Sequence, residues 1–233
     1  MGADVKKIVV AKALILGDQV SISGVGKTSL VLRYLKQEVN GTVTPTIGAS
    51  YFPCSISIGD TLVKLQVWDT AGQERFKSMA PLFYRNSSAA LLVFDLTHYD
   101  SFLNVKEWML ELNRNIDDPV VTYVIGNKTD LVEERQVSRE EAVKYSNEVG
   151  AKYYECSALY NQRVEEVFHN VALEMIKLYG ELALTKTMNV CDGISVDNSI
   201  AANTIDYGTV IVPGSSKENI AHGVKVNNFC CFN

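Results

Sequence analysis

The sequence has few cysteines, no long apolar run and no excess of positive charge. Its 5 cysteines among 233 residues are an odd number without regular spacing, which argues against a disulfide framework and fits a reducing cytosol. No apolar stretch approaches the roughly 18 to 20 residues needed to span a bilayer. The net charge of −5, without a long basic run, gives no electrostatic support for binding nucleic acid. With 47% apolar residues, the composition is that of a globular protein.

The N-terminal residues lack the cleavage site of a secretion signal. Lys6 and Lys7 precede an apolar run, Ile8–Leu16, as they would in a signal peptide, but the run ends in Gly17-Asp18 and not in small residues. We therefore expect this run to be a buried first strand. The sequence also has no internal repeat.

Strand-like and helix-like patterns alternate over residues 8–179. Residues 89–94 and 120–125 are continuous apolar runs of buried-strand length, whereas 102–116 and 164–178 carry apolar residues at helical spacing. This alternation predicts an α/β domain with a mostly parallel central sheet and helices on both faces.

Two local signals refine this prediction. Gly59-Asp60 lies between two strand-like runs, which predicts a two-residue hairpin and hence one antiparallel edge strand. Ser138 is followed three residues later by Glu141, a capping box that opens a helix.

The periodic pattern ends near Gly180. Residues 180–233 hold scattered polar residues without periodicity, a composition that predicts a disordered tail. We therefore divide the chain into an N-terminal extension (1–7), one domain (8–179) and a hypervariable tail (180–233).

The segment Trp68–Phe76 is the most informative stretch of the sequence. It follows a strand-like run, so Asp69 lies where a strand ends and is placed to hold a metal ion through water. Gly72 has no side chain, so its amide can approach a terminal phosphate, and Gln73 can orient an attacking water. These are the parts of a GTP-hydrolysing switch.

A glycine-rich loop with the character of a phosphate site follows the first strand. Gly24 to Leu30 opens a helix, so its amides and the helix N-terminus can cradle phosphates. Lys27 is expected to reach the β- and γ-phosphates, and the Thr28 hydroxyl to bind Mg²⁺. This loop predicts a P-loop NTPase. The predicted contacts are Ser23, Gly24, Val25, Gly26, Lys27, Thr28 and Ser29.

The loop departs from its full pattern at one position. A glycine is required five residues before Gly26, but Ser21 stands there, and the suitable Gly17-Asp18 pair lies four residues further upstream. Deleting Gln19–Ile22 would restore an intact phosphate loop. We therefore expect a four-residue insertion that either bulges outward or disturbs the phosphate cradle.

Two further loops complete a candidate nucleotide site. Asn127-Lys128-Thr129-Asp130 follows an apolar strand, and Asp130 can accept two hydrogen bonds from guanine that adenine cannot donate. Ser157-Ala158 after the next strand can offer backbone donors to the carbonyl oxygen of the base. The base contacts predicted here are Asn127, Lys128, Asp130, Ser157 and Ala158.

A third oxygen ligand completes the predicted metal site of Thr28, Thr46 and Asp69. Thr46 can place its hydroxyl on Mg²⁺ when the terminal phosphate is present. Losing that phosphate would release its loop, which makes the loop an order–disorder switch.

With these motifs in place, residues 8–179 resemble the Rab family of small GTPases. The segments that favour Rab over Ras or Rho are 47–51 (Ile-Gly-Ala-Ser-Tyr), 64–68 (Lys-Leu-Gln-Val-Trp), 75–79 (Arg-Phe-Lys-Ser-Met) and 83–85 (Phe-Tyr-Arg). Residues 46–50, with Ala80-Pro81, are most similar to the early-endosomal branch.

The resemblance implies a function for the chain. It implies a monomeric switch that binds GTP or GDP with Mg²⁺, in which Gln73 positions water and Lys27 stabilises the transferring phosphoryl group. Its implied partners are an exchange factor, a GTPase-activating protein, the Rab escort protein, a GDP-dissociation inhibitor and GTP-state effectors. The effector contacts that it implies are Ile47, Tyr51, Trp68 and Phe83.

The resemblance also implies a location within the cell. Cys230 and Cys231 match the family's pattern for double geranylgeranylation, and stable anchoring needs two such signals. We expect the chain on the cytoplasmic face of endosomal membranes, and in the cytosol when it is extracted.

The chain departs from the family pattern at three places. Leu159 replaces the usual Lys after Ser157-Ala158, Asn86 replaces a usual Gly, and the insertion interrupts the phosphate loop. The insertion keeps a second interpretation open, a Rab-like binding module with weak or no hydrolysis. An ATP-using kinase is disfavoured by Asp130.

Overall fold

The computed structural model describes residues 7–19, 24–37, 39, 44–73, 81–116, 118–191, 220–221 and 224–225. Contacts divide the chain into two units, residues 1–177 and 178–233. The first unit contains the sheet and the residues predicted to contact nucleotide, metal and effectors. In the second, the structure describes the end of the last long helix and one short antiparallel strand pair, Ile220–Ala221 with Val224–Lys225.

Among the described residues of the first unit, six strands form the central sheet. They are β1 (Lys7–Leu16), β2 (Ala49–Ile58), β3 (Thr61–Thr70), β4 (Ala89–Asp95), β5 (Val121–Asn127) and β6 (Lys152–Glu155). Their order is β2-β3-β1-β4-β5-β6, and every neighbouring pair is parallel except β2 with β3. The antiparallel strand lies at an edge, and its hairpin pairs Ile58 with Thr61 around Gly59-Asp60, which confirms the prediction.

In the part of the chain that the structure describes, five α-helices accompany the sheet: α1 (Lys27–Tyr34), α2 (Pro81–Tyr84), α3 (Tyr99–Asn115), α4 (Arg139–Glu148) and α5 (Val164–Cys191). The start of α4 is set by the predicted cap, because Ser138 Oγ accepts a hydrogen bond from the backbone N–H of Glu141 at 3.1 Å. Among the helices that the structure describes, none combines the length and the apolar character needed to cross a bilayer.

Alternation along the buried strands builds two apolar layers. Successive strand residues point to opposite faces, and β4 is buried along its whole length. Leu14, Leu92 and Phe94 pack in one cluster with side chains of α3 and α4. On the other face α1 and α5 meet, since the Tyr34 and Phe168 rings stack with centroids 4.1 Å apart. The predicted α/β P-loop architecture is confirmed.

The last helix runs further than the sequence pattern suggested. The domain was predicted to end at residue 179, whereas α5 continues to Cys191. Residues 181–184, Glu-Leu-Ala-Leu, are good helix formers, and their propensity can extend a helix past the end of its core contacts. The predicted disorder of the tail falls largely on residues outside the described part of the chain and stays a prediction.

Candidate functional site

The loops at the carboxyl ends of the strands converge on one cavity. In an open α/β sheet this edge is where ligands bind. The cavity joins the loop after β1, the segment before β2 and the loop after β3. Its lining consists of Gln19, Gly24, Val25, Gly26, Lys27, Thr28, Ser29, Thr44, Pro45, Thr46, Thr70 and Gly72. Ser23 lies outside the described residues.

The phosphate loop needs glycine for its backbone conformation and its close packing. Gly24 and Gly26 have φ of 61° and 88°, in the left-handed region that other residues rarely adopt. A Cβ on Gly26 would lie 2.3 Å from Asn127 Nδ2. The helix that follows begins at Lys27 without a side-chain cap, so its first amides are available for an anion.

The three predicted metal ligands lie within hydrogen-bonding distance of one another. Asp69 Oδ2 accepts a hydrogen bond from Thr28 Oγ1 at 2.6 Å and from Thr46 Oγ1 at 3.1 Å. The two hydroxyl oxygens are 2.9 Å apart, and Asp69 is fully buried. One carboxylate with two hydroxyls fits Mg²⁺, which binds oxygen and takes its remaining ligands from waters and substrate phosphates.

Lys27 lies beside this group and is also buried. Its Nζ donates a hydrogen bond to Gly17 O at 2.5 Å. Burial lowers the pKa of the Lys27 ammonium, and the negative charges of Asp69 and Asp18 partly counter that effect. A Cβ on Gly72 would lie 2.5 Å from Lys27 Nζ, so a larger residue at position 72 would displace the ammonium group or the loop.

The start of the predicted insertion lies against the loop that follows β3. The backbone N–H of Gln19 donates to Gly72 O at 2.7 Å, and a Cβ on Gly72 would lie 3.0 Å from both Gln19 N and Gly17 O. Of the two predicted outcomes, this contact favours interference with the cradle. The rest of the insertion lies outside the described residues. Gln73 is half-buried next to Gly72.

One amide side chain joins the phosphate loop to the predicted base loops. Asn127, at the end of β5, donates from Nδ2 to Val25 O at 2.9 Å and accepts at Oδ1 from the Ala158 N–H at 3.1 Å. Ser157 Oγ donates to the Asp130 carboxylate. The structure thus brings Asn127, Asp130, Ser157 and Ala158 together, although the sequence predicted them in loops that follow two different strands.

Lys128 has a partner that the sequence did not suggest. Its Nζ lies 2.7 Å from a carboxylate oxygen of Asp95 at the end of β4. Burial raises the pKa of Asp95, but hydrogen bonds from Lys128 and Thr97 outweigh burial and hold the pKa below its ordinary value. The ion pair supports Lys128 in a left-handed conformation, with φ of 69°.

The predicted effector aromatics form one row. The ring of Trp68 lies 5.5 Å from that of Tyr51 and 5.5 Å from that of Phe83, while Ile47 is 76% exposed. Lys12 supports this row from β1, because its Nζ lies 5.4 Å from the Trp68 ring centroid. Sequence reasoning missed Lys12, although a single lysine inside an apolar strand is a usable signal.

Lys12 also fixes the chain after α2. Its Nζ donates to Arg85 O at 2.9 Å, and burial lowers its pKa to about 8. The next residue, Asn86, takes φ of 59°, a conformation that Asn tolerates better than most residues. This explains how Asn can stand where the family pattern has Gly.

Two other contacts had no sequence signal. Trp108 on α3 donates from Nε1 to Asp18 Oδ1 at 2.9 Å, and Arg33 on α1 donates to the carbonyls of Ala158 and Leu159 at 2.8 and 2.7 Å. Both join segments far apart in the sequence. Cys230 and Cys231 lie outside the described residues.

Comparisons with known proteins agree with this geometry. The family model described as "Ras family" matches residues 12–177. Human Ras-related protein Rab-21 is 43% identical over 166 residues, 71% of this chain and 72% of the relative. Mouse Ras-related protein Rab-17 is 40% identical over 173 residues, covering 74% and 78%. Rice (Oryza sativa subsp. japonica) Ras-related protein Rab5A is 42% identical over 171 residues, covering 73% and 82%. The chain therefore belongs to the Ras family and, within it, is a Rab small GTPase of the early-endosomal branch, an enzyme that hydrolyses GTP to GDP.

Proposed function

We propose that this chain is a membrane-anchored switch of endosomal vesicle traffic that binds GTP and GDP with Mg²⁺ and hydrolyses GTP slowly. The observation that carries the proposal is the convergence of Thr28, Thr46 and Asp69. These residues come from the phosphate loop, the segment before β2 and the end of β3. A metal-bound phosphate at this point therefore couples to two loops that can move.

Phosphate binding and hydrolysis divide among a few groups. The amides of residues 24–29 and the Lys27 ammonium would hold the phosphates, and Thr28, Thr46 and Asp69 would hold the Mg²⁺ ion. Bound Mg²⁺ neutralises charge that develops on the phosphoryl oxygens. Gln73 orients the attacking water, and the Gly72 N–H faces the terminal phosphate.

Base recognition explains why the substrate is a guanine nucleotide. Asp130 accepts from the two N–H groups of the guanine edge, and Ser157 Oγ orients its carboxylate by donating to one of its oxygens. The Ala158 N–H lies at the same point, beside Asn127. An adenine base would leave the carboxylate without these donors. A site built to hydrogen-bond its substrate discriminates strongly against a ligand that lacks the matching groups.

The switch is read on the neighbouring surface. Thr46 is followed directly by the exposed Ile47, and Tyr51 and Trp68 extend the same surface along β2 and β3. When the terminal phosphate leaves, Thr46 loses a ligand partner and the loop that carries Ile47 is released. Effectors that contact Ile47, Tyr51, Trp68 and Phe83 therefore distinguish the two nucleotide states.

Anchoring and regulation complete the cycle. Two geranylgeranyl groups on Cys230 and Cys231 hold the protein on the cytoplasmic face of endosomal membranes, because one lipid chain alone binds only marginally. The Rab escort protein presents the chain for lipidation, and the GDP-dissociation inhibitor returns it to the cytosol. An exchange factor loads GTP, and a GTPase-activating protein accelerates hydrolysis; the chain works as a monomer without nucleic acid.

Bound nucleotide and single-turnover hydrolysis test the proposal together. Purified protein should release guanine nucleotide on denaturation at close to one molecule per chain, and EDTA should speed its dissociation. Preloaded GTP should convert slowly to GDP. Protein that carries no guanine nucleotide and converts no GTP would support the alternative of a Rab-like binding module, which the Gln19–Gly72 contact favours.

A further inference from the structure

The two peptide groups that meet at Ala158 are each held by a side chain. Its N–H donates to Asn127 Oδ1 at 3.1 Å, and its carbonyl accepts from Arg33 Nε at 2.8 Å. Ala158 is buried, so water does not substitute readily for these partners. Two side chains from different elements therefore restrict the backbone on either side of the Ala158 Cα.

Arg33 makes a second hydrogen bond to the next peptide. Its Nη2 donates to Leu159 O at 2.7 Å, so one guanidinium spans two consecutive carbonyls. A planar fork can do this with a single side-chain placement, whereas a lysine offers one point of charge. The side chain of Leu159 is 44% exposed, so the loop is held through its backbone.

The helix that carries Arg33 also carries the phosphate contacts. α1 begins at Lys27 and Thr28 and holds Arg33 in its last turn. Arg33 follows Lys27 by six residues, so about one and a half turns of helix lie between the phosphate end and the base end of the site. A rigid helix transmits the position of one end to the other, because its backbone hydrogen bonds fix the intervening length.

We propose that Arg33 is a positioning residue for guanine recognition. By fixing the backbone that follows Ala158, it keeps the Ala158 N–H where a bond shared with Asn127 Oδ1 can also reach the 6-oxo group of the base. This inference rests on the nucleotide site proposed above. If Arg33 only stabilised the fold or the whole site, its removal would change the dissociation of ligands with and without the 6-oxo group equally.

The test compares two ligands that differ only at that group. GDP and 6-thio-GDP, which keeps N1–H and the 2-amino group but carries a weakly accepting sulfur in place of the 6-oxo oxygen, would each be loaded, and their dissociation rates measured by displacement. Arg33→Met should speed GDP dissociation about tenfold, the scale of one hydrogen bond to a charged group. It should leave the rate for the analogue within about twofold of wild type. Arg33→Lys, which keeps the charge but offers a single donating nitrogen, should give a GDP dissociation rate between those of wild type and Arg33→Met.

Arg114→Met is the matched control. Arg114 is an exposed arginine in the last turn of α3, so its removal reproduces the loss of charge at a helix C-terminus without touching the site. It should change neither dissociation rate. Melting by circular dichroism would verify folding, and if Arg33→Met does not fold, Arg33→Lys carries the comparison.

The outcomes separate the positioning role from the nucleotide site itself. Equal acceleration for both ligands, or no acceleration for either, would overturn the role of Arg33 alone, provided that wild type prefers GDP over the analogue. Equal dissociation of both ligands from wild type would overturn the proposed Ala158 contact and the role of Arg33 with it.

Discussion

Breaking the contact between the insertion and Gly72 should raise the affinity of the protein for GTP relative to GDP. The Gln19 N–H donates to Gly72 O at 2.7 Å, and a Cβ on Gly72 would lie 2.5 Å from Lys27 Nζ. A terminal phosphate bound between that lysine and the Gly72 amide requires two hydrogen bonds of about 2.9 Å each. The loop must therefore move outward, and the bond to Gln19 opposes this movement.

The size of the effect follows from one backbone hydrogen bond. Such a bond contributes about 0.5 to 1.5 kcal/mol net, so its removal should raise the ratio of GTP to GDP affinity about fivefold. Gln19→Pro removes the donor, while Gln19→Ala keeps the backbone N–H and serves as the matched control. Titration calorimetry with GDP and a non-hydrolysable GTP analogue measures the ratio.

Removing Gln19–Ile22 altogether tests the same reasoning more broadly. The entropy of a slightly longer loop is small, so we expect the shortened protein to keep its fold. Its phosphate-facing amides should return to a tight ring, and it should release GDP more slowly than the complete chain. If the complete and shortened proteins release GDP equally fast, and Gln19→Pro matches Gln19→Ala, the insertion has no effect on the cradle.

Three further predictions concern the base, the hydrolysis step and the membrane. Asp130→Asn should weaken GDP binding by several kcal/mol, since each hydrogen bond to a charged group contributes about 1.5 to 3; equal calorimetric affinity of wild type for ATP and GTP would refute the guanine assignment. Gln73→Leu should keep nucleotide affinity and abolish stimulated hydrolysis, measured in single turnovers with a cognate activating protein; unchanged hydrolysis would exclude Gln73 as the water-positioning group. Changing Cys230 and Cys231 together to Ser should move the protein from membranes to cytosol in fractionation, whereas either single change should weaken attachment; a double variant still on membranes would require another anchor.

Local patterns in the sequence were sufficient for most of the fold. Ile8–Leu16 lies within β1, Gly59-Asp60 forms the hairpin and Ser138 caps α4, because each signal acts between residues close together in the chain. The extent of α5 was underestimated, since the apolar period ends before the helix does. Propensity continues a helix where packing no longer requires it.

The parts of the site were predictable, but the connections between them were not. Each motif contains its own chemistry, so the meeting of Thr28, Thr46 and Asp69 could be inferred from their types. Arg33 is an ordinary surface-type residue in its own helix, and its partners lie 125 and 126 positions away. Only the three-dimensional packing of α1 against the loop after β6 reveals what it holds.

Asn127 gives the two halves of the nucleotide a thermodynamic connection. A single buried amide contacts the phosphate loop through Val25 O and the base loop through the Ala158 N–H. A ligand group that orders one loop therefore also orders the other, and the second group binds to a protein that has already lost the corresponding conformational entropy. Guanosine and pyrophosphate should accordingly bind cooperatively as separate molecules, each raising the affinity for the other by the same factor.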